Sequence, residues 1–127
     1  MPRPILPDTD VLVDFLRGYD KAVAFVTDNA SRIILSCIII AELYAGIRGD
    51  AEQATIDRFV SLFPIIPLDL GIAKVGGRYK RDYGKSHGVG LADAIVAATA
   101  EAENAELKTL NIKHYPMIKG LLPAYHK

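Results

Sequence analysis

The sequence has no net charge: fifteen Lys and Arg balance fifteen Asp and Glu. That absence excludes a simple polybasic nucleic-acid binder, though not a polarised one. Only one cysteine is present, so no internal disulfide can form, and a reducing cytoplasm is the expected compartment. Cys37 lies inside the apolar run Ile33 to Ile40 and reads as a small core residue. No signal peptide is expected, because only Arg3 precedes Ile5-Leu6, and Asp8, Asp10 and Asp14 follow at once. The longest weakly charged stretch, Ile33 to Ile47, is too short to span a bilayer. Repeats, low-complexity tracts and linkers are absent. So are a glycine-rich phosphate loop, a Ser/His/Asp order and a Cys/His zinc spacing.

What remains is an ordinary globular composition. Of 127 residues, 50% are apolar and 24% charged, enough for a single domain spanning 1–127. The neutral total hides an asymmetry: residues 1–73 carry ten acids and six bases, residues 74–127 five acids and nine bases. Short apolar runs alternate with helical patterns. Strands are expected at Ile5-Leu6, Arg32–Ser36, Ile65–Leu68 (an edge, given its prolines) and Leu107–Leu110. Helices are expected at Thr9–Arg17, Asp20–Asp28, Ile38–Arg48, from a cap at Asp50, at Leu70–Tyr83 before a glycine loop at 84–90, and at Leu91–Asn104. This rhythm predicts a three-layer α/β/α sandwich with a short central parallel sheet.

Two acids stand where acids are costly. Glu42 is the only charged residue between Arg32 and Arg48, and Asp93 the only one between His87 and Glu101. Helices apolar nearly all round are expected to be buried. A buried carboxylate without a partner costs several kcal/mol, so each needs a partner, a raised pKa or a cation. A first-turn acid that satisfies free backbone N–H groups is the plainer alternative, better suited to Asp93, just after Gly90, than to Glu42. Asp8 follows the first strand, Glu42 the second, Asp93 the glycine loop and Asn111 the last strand. In a parallel sheet these places lie on one edge, where a crevice opens if strand order reverses. Three carboxylates converging there repel, by about 3 kcal/mol per pair at about 5 Å and an effective dielectric of about 20. A divalent cation removes that repulsion, and all-oxygen ligation favours Mg2+ or Mn2+, which activates a phosphodiester toward in-line attack. His87, His114 and His126 are unclustered and read as surface residues.

The segments Ile5-Leu6-Pro7-Asp8-Thr9-Asp10-Val11-Leu12-Val13-Asp14, Ser36 through Ala41-Glu42-Leu43 and Gly46, Leu91-Ala92-Asp93 through Ala100, and Thr109-Leu110-Asn111 together resemble PIN-domain ribonucleases. More narrowly they are similar to VapC-type toxins of bacterial and archaeal toxin–antitoxin pairs. The resemblance implies a Mg2+- or Mn2+-dependent endoribonuclease, an RNA substrate, a homodimer and inhibition by a small antitoxin that binds the groove. It assigns Asp8, Glu42 and Asp93 to the metal, with Thr9 and Thr109 as supporting hydroxyls. The fourth site position, often Asp in the family, is Asn111 here, which leaves open whether one or two metals bind. Asp10 would stand behind the ligands, and Asp14 reads as a helix-surface or packing acid.

Lys74, Arg78, Arg81 and Lys85 recur at spacings that share one helix face, with Tyr79 and Tyr83 on a neighbouring stripe. Such a face suits RNA phosphates and base stacking; a merely solvated face is the alternative. Two rival functions remain. A receiver-like Mg-binding phosphoacceptor needs an Asp directly after a middle strand, whereas Asp57 lies in an amphipathic helical stripe. A catalytically silent PIN-like interaction module draws its support from Asn111.

Overall fold

A computed structural model describes residues 2–127. Ile5, Leu6 and Pro7 are wholly buried and form β1 (Ile5–Pro7). The chain turns directly from it into α1 (Thr9–Leu16), because the Asp8 carboxylate accepts the Thr9 backbone N–H at 2.8 Å and caps the helix. Then follow α2 (Asp20–Asn29), β2 (Leu35–Ser36), α3 (Cys37–Ala45), α4 (Gly49–Val60), β3 (Ile65–Ile66), α5 (Leu70–His87), α6 (Leu91–Ala102) and β4 (Glu106–Lys108). Single 3-10 turns cover Ala30–Arg32 and Ile112–His114. No helix among the described residues is long and apolar enough to cross a membrane.

All strand pairing is parallel, as expected. β1 pairs with β4, setting Leu6 opposite Leu107, and β2 pairs with β3, setting Leu35 opposite Ile65. The two pairs meet through a parallel bridge between Ile5 and Ile33, with the Ile34 N–H donating to the Ile5 carbonyl at 2.9 Å. The resulting order is β3-β2-β1-β4, with helices in every crossover. The chain steps outward from β1 through β2 to β3, then returns to the far side of β1 as β4. Strand order therefore reverses between β1 and β4, and ligands of open parallel sheets bind at the carboxyl ends of such a pair.

The core joins Ile5, Leu6, Leu12, Leu35, Ile39 and Val96 with Phe59 and Leu107. Helix α6 buries every residue from Ala94 to Ala100, and its alanines let α5 come close. At the nearest approach Gly76 of α5 lies over α6, where a Cβ would stand 3.0 Å from Cγ1 and 3.2 Å from Cα of Ile95.

Several sequence expectations change. Helix α5 does not end at Tyr83: it runs through Gly84 to His87, and Gly88, at φ +65°, is the residue that stops it. The Lys80 ammonium donates to the Val89 carbonyl at 2.9 Å and ties down that last turn. Asp50 does not cap α4; Arg48 holds the cap position, and Asp50 falls in the first turn. The last strand ends at Lys108, because Thr109 leaves β1 and bridges to Pro123 instead. Helix α3 buries only Ile39 and Leu43, which share a face; Cys37 and Glu42 lie off that face and are exposed. Cys37 is therefore not a core residue. Asp14 is buried, 8% exposed, as a packing acid. Burial alone would raise its pKa, yet hydrogen bonds from Tyr125 and Lys127 and the charges of Lys127 and Arg17 hold it below the usual carboxylate value.

The seam between α5 and α6 predicts opposite outcomes at adjacent glycines. A Cβ at position 77 would meet nothing within 4 Å, so Gly77→Ala should add about 0.5–1 kcal/mol through helix propensity. Gly76→Ala should lower stability, because overpacking of about 1–3 kcal/mol outweighs that gain. Chemical denaturation of the two variants checks the sign of each.

Candidate active site

Asp8 stands at the carboxyl end of β1 and Thr109 just past the end of β4, on either side of the strand-order reversal. Asp8 is 7% exposed and both oxygens of its carboxylate accept hydrogen bonds. Its Oδ1 accepts the Thr9 N–H, and its Oδ2 accepts the Thr109 hydroxyl at 2.9 Å and the Tyr115 hydroxyl at 2.7 Å. Asp93, half-buried in the first turn of α6, meets the same tyrosine: the Tyr115 hydroxyl lies 3.3 Å from its Oδ1. Its Oδ2 lies 3.2 Å from Nδ1 of His114. Tyr115, 1% exposed, has one proton for two carboxylates and gives it to the nearer, Asp8.

Asp10 forms the wall behind them. Its Oδ1 accepts the Val11 N–H at 2.7 Å, and its Oδ2 accepts the Leu110 N–H at 2.9 Å and the Asn111 side-chain amide at 3.1 Å. The Asn111 N–H in turn donates to the Thr109 hydroxyl at 3.0 Å. Asp10 thus fastens the turn after β4 onto the start of α1. Glu42 is exposed and reaches the group through Thr9, whose hydroxyl donates to its Oε1 at 2.7 Å.

Negative charge is in excess here. Among the described residues no Lys or Arg forms an ion pair with Asp8, Asp10, Glu42 or Asp93, and His114 is the one ionisable base in contact. Burial first, then the charge of Asp8, pushes the carboxyl pKa values of Asp10 and Asp93 upward. Burial and the charges of Asp8 and Asp93 push the Tyr115 hydroxyl up as well, so it remains a donor. The donor set, carboxylates without a fixed cation, fits a hard divalent ion by chemistry and by charge. As the side chains stand, no three of His, Cys, Asp and Glu among the described residues are grouped closely enough to hold an ion. Glu42 is turned to Thr9 and Asp93 to His114.

The sequence-predicted residues fare unequally. Asp8, Asp93, Thr9 and Thr109 come together, and Glu42 joins through Thr9. Asn111 touches Asp10 and neither Asp8 nor Asp93. His114 is exposed, as expected of a surface residue, but it is not isolated: the turn at Ile112–His114 carries it to Asp93. Tyr115 gives no signal in the sequence beyond closing the segment after the last strand. Lys74, Arg78, Arg81 and Lys85 are all exposed on α5, and none of them hydrogen-bonds or ion-pairs with the acids. Arg81 pairs locally with Asp82 at 2.9 Å. Tyr79 is half-buried with its hydroxyl on Glu101; burial and that carboxylate push its pKa up to about 12.

A profile of the PIN domain matches residues 5–115. The chain belongs to the PIN domain family. Ribonuclease VapC19 of Mycobacterium tuberculosis is 37% identical to this PIN domain over 124 residues, covering 94% of this chain and 98% of its own. Ribonuclease VapC10 of the same organism is 36% identical, covering 95% and 92%. Among solved structures, a toxin–antitoxin complex from Klebsiella pneumoniae has a chain that superposes with a TM-score of 0.83 at 26% identity, over 97% of this chain and 99% of that one. A DNA-bound VapBC from Salmonella typhimurium shares the fold, with a TM-score of 0.80 at 20% identity over 94% and 96%.

The crowded acids give this PIN domain a testable pH response. A carboxyl with a raised folded pKa favours the fold below its unfolded value, and that contribution is lost as pH rises toward the raised value. Asp93→Asn should therefore raise the metal-free melting temperature at pH 7, by a margin that shrinks as pH is lowered toward 4 and the native carboxyl gains its proton. Melting curves across that range in a chelator check this; a difference independent of pH contradicts it.

Proposed function

We propose that this PIN domain is the ribonuclease toxin of a toxin–antitoxin pair, the whole of 1–127 acting as one domain that cuts RNA internally with Mg2+ or Mn2+. The observation that carries this is the pair Asp8 and Asp93, gathered at the strand-order reversal around one tyrosine hydroxyl with no Lys or Arg to neutralise them. The names of the M. tuberculosis relatives support ribonuclease activity, and the toxin–antitoxin complex from K. pneumoniae supports a small antitoxin as partner. A homodimer and a cytoplasmic location complete the reading.

Asp8 and Asp93 would hold the cation directly. Glu42 would complete the site, either as a ligand or by orienting the attacking water. A bound Mg2+ or Mn2+ supplies a Lewis acid for the phosphoryl oxygen and a more acidic water. The chain's own residues do the positioning. The Thr9 hydroxyl engages Oε1 of Glu42 and leaves Oε2 to accept from a water. Thr109 and the Thr9 N–H fix both oxygens of Asp8, so its carboxylate presents one orientation. Asp10, braced by Leu110 and Asn111, keeps the turn after β4 against α1. Asn111 therefore acts on the site through Asp10 and supplies no fourth carboxylate. On α5, Lys74, Arg78, Arg81 and Lys85 would take up RNA phosphates, releasing counterions as they bind.

Incubation of purified protein with total RNA, with Mg2+ or Mn2+ and then with a chelator, tests the reading. Asp8→Asn and Asp93→Asn should each reduce cleavage by about 100-fold or more, corresponding to several kcal/mol of lost charge stabilisation. Cleavage that survives both the chelator and the Asp93 variant would overturn the assignment. Neutralising Lys74, Arg78 and Lys85 together should raise KM and leave kcat nearly unchanged. The same change should flatten the salt dependence of binding, its log–log slope falling by about one for each phosphate no longer neutralised.

A further inference from the structure

The family profile ends at residue 115, but the chain beyond it returns to the site. Past Lys108 the pairing of β4 with β1 is over, and Thr109 is completely buried. A buried carbonyl outside the sheet needs a donor from elsewhere. The Ala124 N–H supplies it, donating to the Thr109 carbonyl at 3.0 Å, beside the parallel bridge of Thr109 to Pro123. Thr109 is thus gripped from both sides: its hydroxyl holds Asp8 and its carbonyl is held by the C-terminal segment.

That segment is itself clasped onto α1 and α2. The Tyr125 hydroxyl donates to Oδ2 of buried Asp14 at 2.7 Å, and the Lys127 ammonium lies 3.0 Å from the same oxygen and 3.1 Å from Oδ1. The Tyr125 ring packs at 5.8 Å from that of Tyr19 and 6.4 Å from that of Phe25, with Lys127 stacked 5.2 Å over Tyr19. Lys21 donates to the His126 carbonyl. Asp14 belongs to the helix that Asp8 caps, so the clasp and the acid it serves share one rigid element.

We propose that residues 123–127 form a strap that positions Thr109, and through it Asp8, with Asp14 and Tyr125 as its clasp. These are positioning residues, acting through Thr109. The proposal rests on the nuclease reading above and adds to it a requirement for chain outside the family's profile. Displacing Thr109 lets the Asp8 carboxylate reorient, and misplacement of a reacting group by about 1 Å costs on the order of 100-fold in rate.

The test compares the full chain with a version ending at Leu122 and with Asp14→Asn and Tyr125→Phe, reading kcat and KM for RNA cleavage and the affinity for Mn2+ alone. The expected result is a folded protein with kcat lowered about tenfold or more, Mn2+ affinity lowered, and KM nearly unchanged. Variants that melt earlier, yet at low temperature cleave RNA and bind Mn2+ like the full chain, overturn the strap and leave it as terminal packing. Where the shortened chain does not fold, the two point variants decide by the same readouts. If the full chain itself neither cleaves RNA nor binds Mn2+, the nuclease reading falls, and amide exchange decides the strap. Faster exchange at Leu110 and Asn111 in the variants supports it, and unchanged exchange overturns it.

Discussion

Like charges held together without a Lys or Arg between them are the constraint on which this structure turns. Two strands from opposite ends of the chain, β1 and β4, pair side by side and deliver Asp8, Asp10 and the turn holding Thr109 to one edge. Helix α6 adds Asp93 from a third direction. Left alone, such a group would take up protons, and the upward shifts of Asp10 and Asp93 are the beginning of that response. What prevents collapse is a ring of neutral donors. The hydroxyls of Thr109 and Tyr115, the amides of Thr9, Val11 and Leu110, and the Asn111 side chain all hydrogen-bond carboxylates without cancelling their charge. At Asp8 and Asp10 the charge stays uncancelled because the partners are dipoles rather than ions; at Asp93 the His114 imidazole stands beside the carboxylate as well.

The scaffold serves that arrangement through close packing. Short strands place the acids, but two- and three-residue strands cannot fix them unaided. The alanines of α6 and the missing side chain of Gly76 let α5 and α6 pack tightly enough to set where Asp93 emerges. Asp10 does for the turn after β4 what Asp8 does for α1, satisfying a backbone donor from outside its own element.

The acids are legible in the sequence because of contrast: a single carboxylate in a long apolar stretch is visible in any reading of the chain, as Glu42 and Asp93 are. Their depth is not legible. Glu42 lies off the buried face of α3 and Asp93 is only half-buried, so isolation among apolar neighbours in sequence does not mean burial in space. The parallel order of elements is also readable, from the alternation of apolar runs and helical spacing. Partners that arrive from far along the chain are not. Tyr115 reaches Asp8 across 107 positions and Tyr125 reaches Asp14 across 111, and no local pattern marks a side chain for such a meeting. His114 stands alone in sequence because its nearest acids are distant along the chain, whereas folding sets it on Asp93. Composition places the end of α5 before Gly84, because it cannot distinguish a helical glycine from the left-handed one, Gly88, that terminates the helix.

The tyrosine at the centre has a consequence of its own. One hydroxyl faces two carboxylates and can satisfy only one, so the pair is unequal before anything binds. Asp8, with three donors around it, is the quiet member, held in a single pose. Asp93, at the longer contact and beside the His114 imidazole, is the less firmly held. The asymmetry belongs to the fold: a buried carboxylate locked by three donors at the end of β1 faces a half-buried one at the start of α6 that is free to change partners.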